Sequence, residues 1–101
     1  MTDNKEFKSS PEMQKLVKLL DEAKIPYEKN IDFDNCLQLI YPNQEQRISD
    51  VICNNYSYGH EKGLLEIMGL VDVDKVGDSV EGHLTASDVF SRWQEHYLTV
   101  K

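Results

Sequence analysis

The chain has 101 residues, a formal net charge of −7, and hydrophobic residues at 40% of its positions. This length fits one domain, and the apolar content is higher than that of a disordered chain. Its eleven Lys and Arg residues are scattered rather than clustered, which argues against direct binding to nucleic acid or to an anionic membrane surface.

The first predicted elements are a flexible tail over residues 1–9 and a helix over residues 11–23, where a single α+β domain (10–101) begins. Ser10 is a favourable N-cap, and Pro11 fits the first helical turn, where no backbone N–H is needed. Apolar residues then recur at helical spacing. Pro26 ends the pattern, because a proline disfavours helical geometry in the residue before it.

Three strands are predicted next, over residues 27–33, 36–41 and 46–54, joined as an antiparallel meander. In the first strand, Tyr27, Ile31 and Phe33 alternate with polar residues, which predicts one half-buried face. A two-residue Asp34-Asn35 loop would put Ile31 and Phe33 on the face away from Leu37, and a three-residue loop or a bulge would remove that mismatch. The sequence leaves this choice open.

A symmetric second hairpin about Gln44-Glu45 pairs Tyr41 with Ile48 and places Cys36 opposite Cys53. The same register also pairs Leu39 with Asp50, an unfavourable neighbour for a core leucine. We therefore expect either that Asp50 lies at a sheet edge or that the true register is shifted by one pair.

The second half of the chain predicts a short helix over residues 64–68, a loop to Gly82, and a final helix that starts at Thr85. Asp88 stands three residues after Thr85, as in a capping box. The predicted fold is thus α+β, with a three-stranded antiparallel meander packed against an N-terminal and a C-terminal helix and a short helix between. The predicted core is Leu16, Val17, Leu20, Leu37, Leu39, Ile48, Ile52, Leu65, Ile67, Val89, Phe90 and Trp93.

Residues suited to catalysis or metal binding are dispersed. No two of the histidines, at positions 60, 83 and 96, have ligand spacing, and neither cysteine has a CxxC neighbour. The N-terminal segment lacks the apolar stretch of a signal peptide, and no run approaches a membrane span. We expect a cytoplasmic protein without cofactor, metal or catalytic residues, whose two cysteines are thiols inside the fold.

Acidic residues between the predicted short helix and the last helix form one candidate binding surface. A row of carboxylates can imitate nucleic-acid phosphates and occupy a cationic channel. A standard calcium loop is rejected, because Val76 and His83 stand where oxygen ligands belong. The candidate partner-binding residues are Asp72, Asp74, Asp78, Glu81 and Asp88.

A second candidate site is the loop at residues 55–60, together with a later histidine. It brings hydroxyl and imidazole groups together, although it lacks the oriented base and oxyanion hole of a catalytic triad. Its residues are Tyr56, Tyr58, His60 and His83. The simpler interpretation is a turn whose tyrosines pack against the sheet.

Three segments, at residues 56–59, 63–70 and 78–90, resemble a family of small uncharacterised proteins carried by bacteriophages and prophages of Gram-positive bacteria. They read YSYG, GLLEIMGL and DSVEGHLTASDVF. The resemblance implies a cytosolic protein of the bacterial host with an accessory role that acts on a host or phage protein. It supplies no catalytic residue.

The leading hypothesis is therefore a non-enzymatic protein-binding module, with inhibition of a host defence nuclease by carboxylates as one form of it. One alternative is a small enzyme, or enzyme subunit, that uses the tyrosine and histidine loop. Another is a structural homodimer built through a free sheet edge or through the helix that carries Trp93.

Overall fold

The structure, a computed structural model, describes residues 8–72 and 79–100. Within these residues, two helices are combined with five strands that neighbour one another in chain order, each pair antiparallel. The elements are α1 (Pro11–Ala23), β1 (Glu28–Ile31), β2 (Leu37–Tyr41), β3 (Ser49–Ile52), β4 (Leu65–Met68), β5 (Val80–Leu84) and α2 (Ala86–Val100), with a 3₁₀ turn at His60–Lys62.

The predicted N-terminal and C-terminal helices are confirmed, because their end signals are local. The Ser10 hydroxyl accepts a hydrogen bond from the backbone of Met13 at 3.2 Å and caps α1. At the start of α2, the backbone N–H of Thr85 donates to the Asp88 carboxylate at 2.9 Å. The Asp88 N–H donates back to the Thr85 hydroxyl at 3.2 Å, which completes the predicted capping box.

The sheet has five strands rather than the predicted three, and the segment predicted as a short helix is strand β4. Its burial alternates: Leu65 and Ile67 are fully buried, whereas Glu66 is half-buried and Met68 is exposed. This is the period of two of a strand with one face on the core. The predicted loop that follows contains β5 at its end.

The second hairpin is shifted by one residue from the symmetric register. Tyr41 pairs with Ser49, and Leu39 pairs with Val51. A shift of one residue exchanges the two faces of a strand. Val51 is therefore fully buried, Ile48 is 39% exposed and Ile52 is only partly buried, so the prediction that both isoleucines belong to the core is wrong.

Asp50 illustrates the same shift. It lies on the central strand β3, opposite Ile40 rather than Leu39. Its carboxylate accepts hydrogen bonds from Gln38 at 2.6 Å and from Arg47 at 2.9 Å. The buried carboxylate is thus compensated by a cation and an amide, on the face of the sheet that carries Ile40.

The main core lies between the other face of the sheet and the two helices, which pack against each other. Its largest member, Trp93, stacks on Tyr41 with ring centroids 5.3 Å apart. The Trp93 indole donates to the Ser49 hydroxyl at 3.0 Å. Predicted core residues that are buried are Leu16, Leu20, Leu37, Leu39, Leu65, Ile67, Val89 and Trp93, and Val17 and Phe90 pack against them in part. No helix within the described residues is long and apolar enough to cross a membrane.

Strand β1 forms one edge of the sheet, and all four of its residues are exposed. The first hairpin has the three-residue alternative, since Ile31 pairs with Leu37 and the Asp32 N–H donates to the Cys36 carbonyl at 2.9 Å. The predicted half-buried face is wrong, because Ile31 is 43% exposed and Phe33 is 83% exposed. Lys8, from the predicted flexible tail, forms a parallel bridge with Cys36.

Candidate functional site

The loop between β3 and β4 is hydrogen-bonded to strand β5 and packs closely against it. Two residues of β5, Gly82 and His83, lie opposite the single residue Glu66, so the pairing contains a β-bulge. His83 adopts a left-handed φ of 61°. Its backbone N–H donates to the Tyr58 carbonyl at 3.2 Å. Because of the bulge, the backbone N–H of His83 bonds to the loop rather than to the neighbouring strand β4.

Hydrogen bonds inside the loop fix its course. Asn54 and Ser57 are both buried, and the Ser57 hydroxyl accepts from the Asn54 N–H at 2.9 Å while donating to the Asn54 carbonyl at 3.0 Å. The Tyr56 N–H donates to the Asn54 side chain at 2.9 Å. The Tyr58 N–H donates to the Glu66 carboxylate at 2.7 Å. These bonds satisfy backbone groups that would otherwise require water, so the loop is ordered in advance of any contact.

A second turn, between β1 and β2, is bound to the same loop. The Asp32 carboxylate accepts from the backbone of Asp34 and Cys36, at 2.8 and 3.0 Å, and from the Asn54 side chain at 2.8 Å. The Asp34 carboxylate accepts from the Asn55 N–H at 2.9 Å. The two turns therefore form one structural unit at one end of the sheet.

This unit presents three large aromatic side chains to solvent: Phe33 at 83%, Tyr56 at 74% and Tyr58 at 64% exposure. The rings of Phe33 and Tyr56 are in contact across the two turns, with centroids 5.5 Å apart and planes tilted by 42°. We call these three residues the aromatic patch. Exposing so much aromatic surface on a rigid support is unfavourable unless another molecule covers it.

The structure brings part of the predicted tyrosine and histidine site together. The backbones of Tyr58 and His83 are hydrogen-bonded, but the Tyr56 and Tyr58 rings are exposed. The His60 Nδ1 atom donates to the Ser57 carbonyl at 2.7 Å. Sequence reasoning included both tyrosines and missed Phe33, because it assigned Phe33 to a half-buried strand face.

Of the predicted acidic row, the structure describes three residues, and the carboxylates of two of them accept hydrogen bonds from other parts of the protein. Glu81 is buried, and the Arg92 guanidinium donates to its two oxygens at 2.6 and 3.1 Å. Asp88 caps α2. Asp72 is exposed, and Asp74 and Asp78 lie outside the described residues. Two of the five predicted carboxylates thus make contacts within the protein.

The two cysteines line one cleft of about 240 Å³, beside Lys8, Ser9, Ser10, Asn54, Asn55 and His60. They are free thiols. The prediction that Cys36 lies opposite Cys53 on the neighbouring strand is wrong. When the register in which Leu39 faces Val51 is extended along both strands, Cys36 comes to lie opposite Asn54. Among the described residues, no three His, Cys, Asp or Glu side chains are grouped so as to hold a metal ion.

Both thiols have a pKa above the usual value of a cysteine. Burial raises the pKa of Cys36, and the nearby carboxylates of Asp32 and Asp34 raise it further. Burial likewise raises the pKa of Cys53, partly offset by a hydrogen bond with Ser10. Because the thiolate is the nucleophile, the cleft does not resemble a reactive-cysteine site.

Iodoacetamide should therefore alkylate both cysteines more slowly than it alkylates free cysteine at about pH 8. A raised pKa leaves less thiolate at that pH, and the rate should increase as the pH rises further. Mass spectrometry over time should show Cys53 reacting before Cys36, which is more buried. Alkylation of the folded protein as fast as of the protein in denaturant would contradict this expectation.

A larger groove of about 600 Å³ lies at the other end of the core. At its base the hydroxyl of Tyr41 and Nδ1 of His96 are 2.8 Å apart. Burial raises the pKa of this tyrosine. The remaining lining residues are Pro26, Pro42, Gln46, Ile48, Tyr97 and Val100.

No protein-family model, curated protein or solved structure matches this chain. The chemistry of its own surfaces therefore has to support any functional interpretation, and the aromatic patch is the surface with the most specific chemistry.

Proposed function

We propose that this protein is a non-enzymatic protein-binding module and that the aromatic patch is its contact surface. The observation that supports this most directly is the combination of strong exposure with rigid support. Phe33 and Tyr56 are in ring contact while both are mostly exposed. Their backbones belong to two turns that are tied together by the Asp32 and Asp34 carboxylates.

The energetics of protein interfaces favour this surface. Tyrosine provides a large contact area for the loss of few side-chain torsions, and aromatic residues are enriched among residues that dominate binding energy. The loop at residues 54–60 consists of Asn, Tyr, Ser, Gly and His, a composition like that of antibody binding loops. Because the loop is already ordered, a partner would bind without the entropic cost of ordering it.

The same observations weigh against the alternative hypotheses. Glu81 and Asp88 make contacts within the protein, which reduces the carboxylate row needed to imitate phosphates. The Tyr56 and Tyr58 rings lie in the open, whereas catalysis usually needs a sheltered pocket. Homodimerisation through β1 would bring charged residues, Glu28 and Lys29, to the interface, and such residues commonly protect edge strands from pairing.

The biological setting stays a proposal of the same kind: an accessory protein of a phage or prophage, acting in the bacterial cytoplasm on a host or phage protein. It accounts for a small module with an exposed aromatic surface supported by two ordered turns.

The experiment is affinity capture with the tagged protein from a nuclease-treated lysate of a Gram-positive host. The test variant combines Phe33→Ser with Tyr56→Ala, and the matched control is Leu98→Ser, which changes another exposed apolar residue, near the end of α2. We expect a partner that the wild type and the control retain and that the test variant loses. Its purified complex should weaken by about tenfold or more in the test variant.

Circular dichroism should show that the test variant remains folded, because both side chains are exposed. If the test variant retained as much of the partner as the wild type does, the aromatic patch would not be the contact surface. If the molecular mass of the protein alone doubled with concentration and this patch variant prevented the doubling, the partner would be a second copy of the chain.

A further inference from the structure

We infer that the aromatic patch is built to receive an arginine side chain from the partner, with the guanidinium group lying on the Phe33 and Tyr56 rings and bound by the Asp34 carboxylate. This inference rests on the proposed function and specifies the chemistry of the partner. It depends on the charges that lie beside the rings.

Two carboxylate side chains lie next to the patch in the chain. Asp32 and Asp34 are the immediate neighbours of Phe33 in the chain, and both accept hydrogen bonds from uncharged groups only. Within residues 8–72 and 79–100, neither forms an ion pair with a Lys or Arg side chain. Other carboxylates of the protein are neutralised in this way: Arg47 pairs with Asp50, and Arg92 pairs with Glu81.

Asp34 also retains capacity to bind. Its Oδ2 atom accepts from the Asn55 N–H, whereas Oδ1 accepts no hydrogen bond from any residue that the structure describes. A carboxylate fixed through one oxygen is held in position, and the second oxygen can accept from a guanidinium group.

Arginine fits this arrangement better than lysine does. A guanidinium group is planar and weakly hydrated, so it can stack on an aromatic face and still direct its N–H groups sideways to a carboxylate. A lysine ammonium would be attracted by the same charges but lacks the flat surface for stacking. A neutral ligand would leave the charge of Asp34 without a cationic partner when the ligand covers the patch, which is costly.

The overall charge supports a basic partner. The chain carries a net charge of −7, and such a field draws cationic surfaces towards it. The charge complementarity is thus both general, over the whole protein, and local, at an exposed aromatic pair in which Phe33 stands between Asp32 and Asp34 in the chain.

The test uses three glycine-rich peptides that differ only in carrying arginine, lysine or citrulline, and ¹H–¹⁵N NMR titration of the whole protein. Citrulline has nearly the shape of arginine without its charge. We expect the arginine peptide to shift signals of residues 32–35 and 54–58 in a saturable way, at about millimolar affinity. The lysine peptide should bind several-fold more weakly, and the citrulline peptide should not bind at this surface.

Two variants complete the test. Asp34→Asn keeps an oxygen for the Asn55 N–H but removes the charge, and it should weaken the arginine peptide by about fivefold or more. The control is Glu61→Gln, which removes an exposed charge near the same loop and should have little effect. The inference is overturned if arginine and citrulline bind equally, if no saturable shift occurs at the patch, or if the two variants weaken binding to the same extent.

Failure of this inference is separable from failure of the proposed function. If the patch variant loses its captured partner while the arginine peptide shows no preference, the protein is a binding module with a different partner chemistry. If the patch variant retains the partner, the proposed function itself fails.

Discussion

Replacing Gly82 with alanine should reduce the free energy of unfolding by about 3 kcal/mol. A Cβ atom at this position would lie 2.2 Å from the Tyr58 Cβ and 2.7 Å from the Tyr58 carbonyl oxygen. Because these are atoms attached to or part of the backbone, no side-chain rotation can relieve the overlap, and the loop must move away from β5. Chemical denaturation monitored by Trp93 fluorescence would measure the loss.

Gly63→Ala is the matched control for this substitution. Gly63 also lies beside the loop, but a Cβ there meets no atom within 4 Å, and the only cost comes from its positive φ of 73°. That cost is about 1 kcal/mol. A Gly82 variant no less stable than the Gly63 variant would show that the loop does not depend on its close approach to β5.

The same substitution has a consequence for binding. Tyr58 is displaced together with its carbonyl, and the hydrogen bond from His83 is lost with it. If the aromatic patch is the contact surface, the Gly82 variant should bind its partner more weakly even under conditions where it stays folded. The close crossing of two backbones is thus a structural requirement of the proposed site.

The two long helices and the first three strands were predicted, whereas β4 was predicted as a short helix and β5 as part of a loop, and these outcomes have one physical origin. Helix ends depend on neighbouring residues, such as Ser10 with Pro11 or Thr85 with Asp88, so the sequence alone contains the information. Strand β4 is four residues long, and a run such as Leu-Glu-Ile-Met fits one side of a helix as well as one face of a strand. Only its pairing with β3 and β5 decides between them.

The register of the second hairpin was uncertain for a related reason. Residues 42–48 connect β2 to β3, and the predicted symmetric turn assumed a shorter connection. The mismatch between Leu39 and Asp50 was a signal within the sequence that the register was shifted by one pair, and the structure confirms that alternative. The length and composition of the segment that connects β2 to β3 do not by themselves determine the register of these two strands.

The candidate site was predicted in part. Tyr56 and Tyr58 were recognised from their loop-like surroundings, whereas Phe33 was assigned to a buried face because alternation normally indicates burial. Alternation predicts which residues share a face, but not whether an edge strand has anything packed on that face. The partnership of Phe33 with Tyr56 depends on contacts between two distant turns, which no local pattern encodes.

Arg92→Ala should reduce the free energy of unfolding by about 3–4 kcal/mol. It would leave the Glu81 carboxylate, 2% exposed, without the cation whose guanidinium donates to both of its oxygens. The same hydrogen bonds raise the pKa of Arg92. Denaturation at about pH 7 would measure the loss. Lowering the pH to about 5 should reduce this loss, because a buried carboxylate that has lost its neighbouring cation has a raised pKa and is stabilised by protonation.

The double variant Glu81→Gln with Arg92→Met separates the charge from the packing. It removes both charges while keeping side chains of similar length, so it should lose only about 1–2 kcal/mol and show no comparable pH dependence. The Asp72 N–H, which donates to Glu81 at 2.9 Å, can still bond to the glutamine oxygen. If the double variant were as unstable as Arg92→Ala, the loss would come from the missing ion pair and its hydrogen bonds rather than from a carboxylate left without its cation. Glu81 and Arg92 join β5 to α2, so that result would show that the ion pair itself holds these elements together.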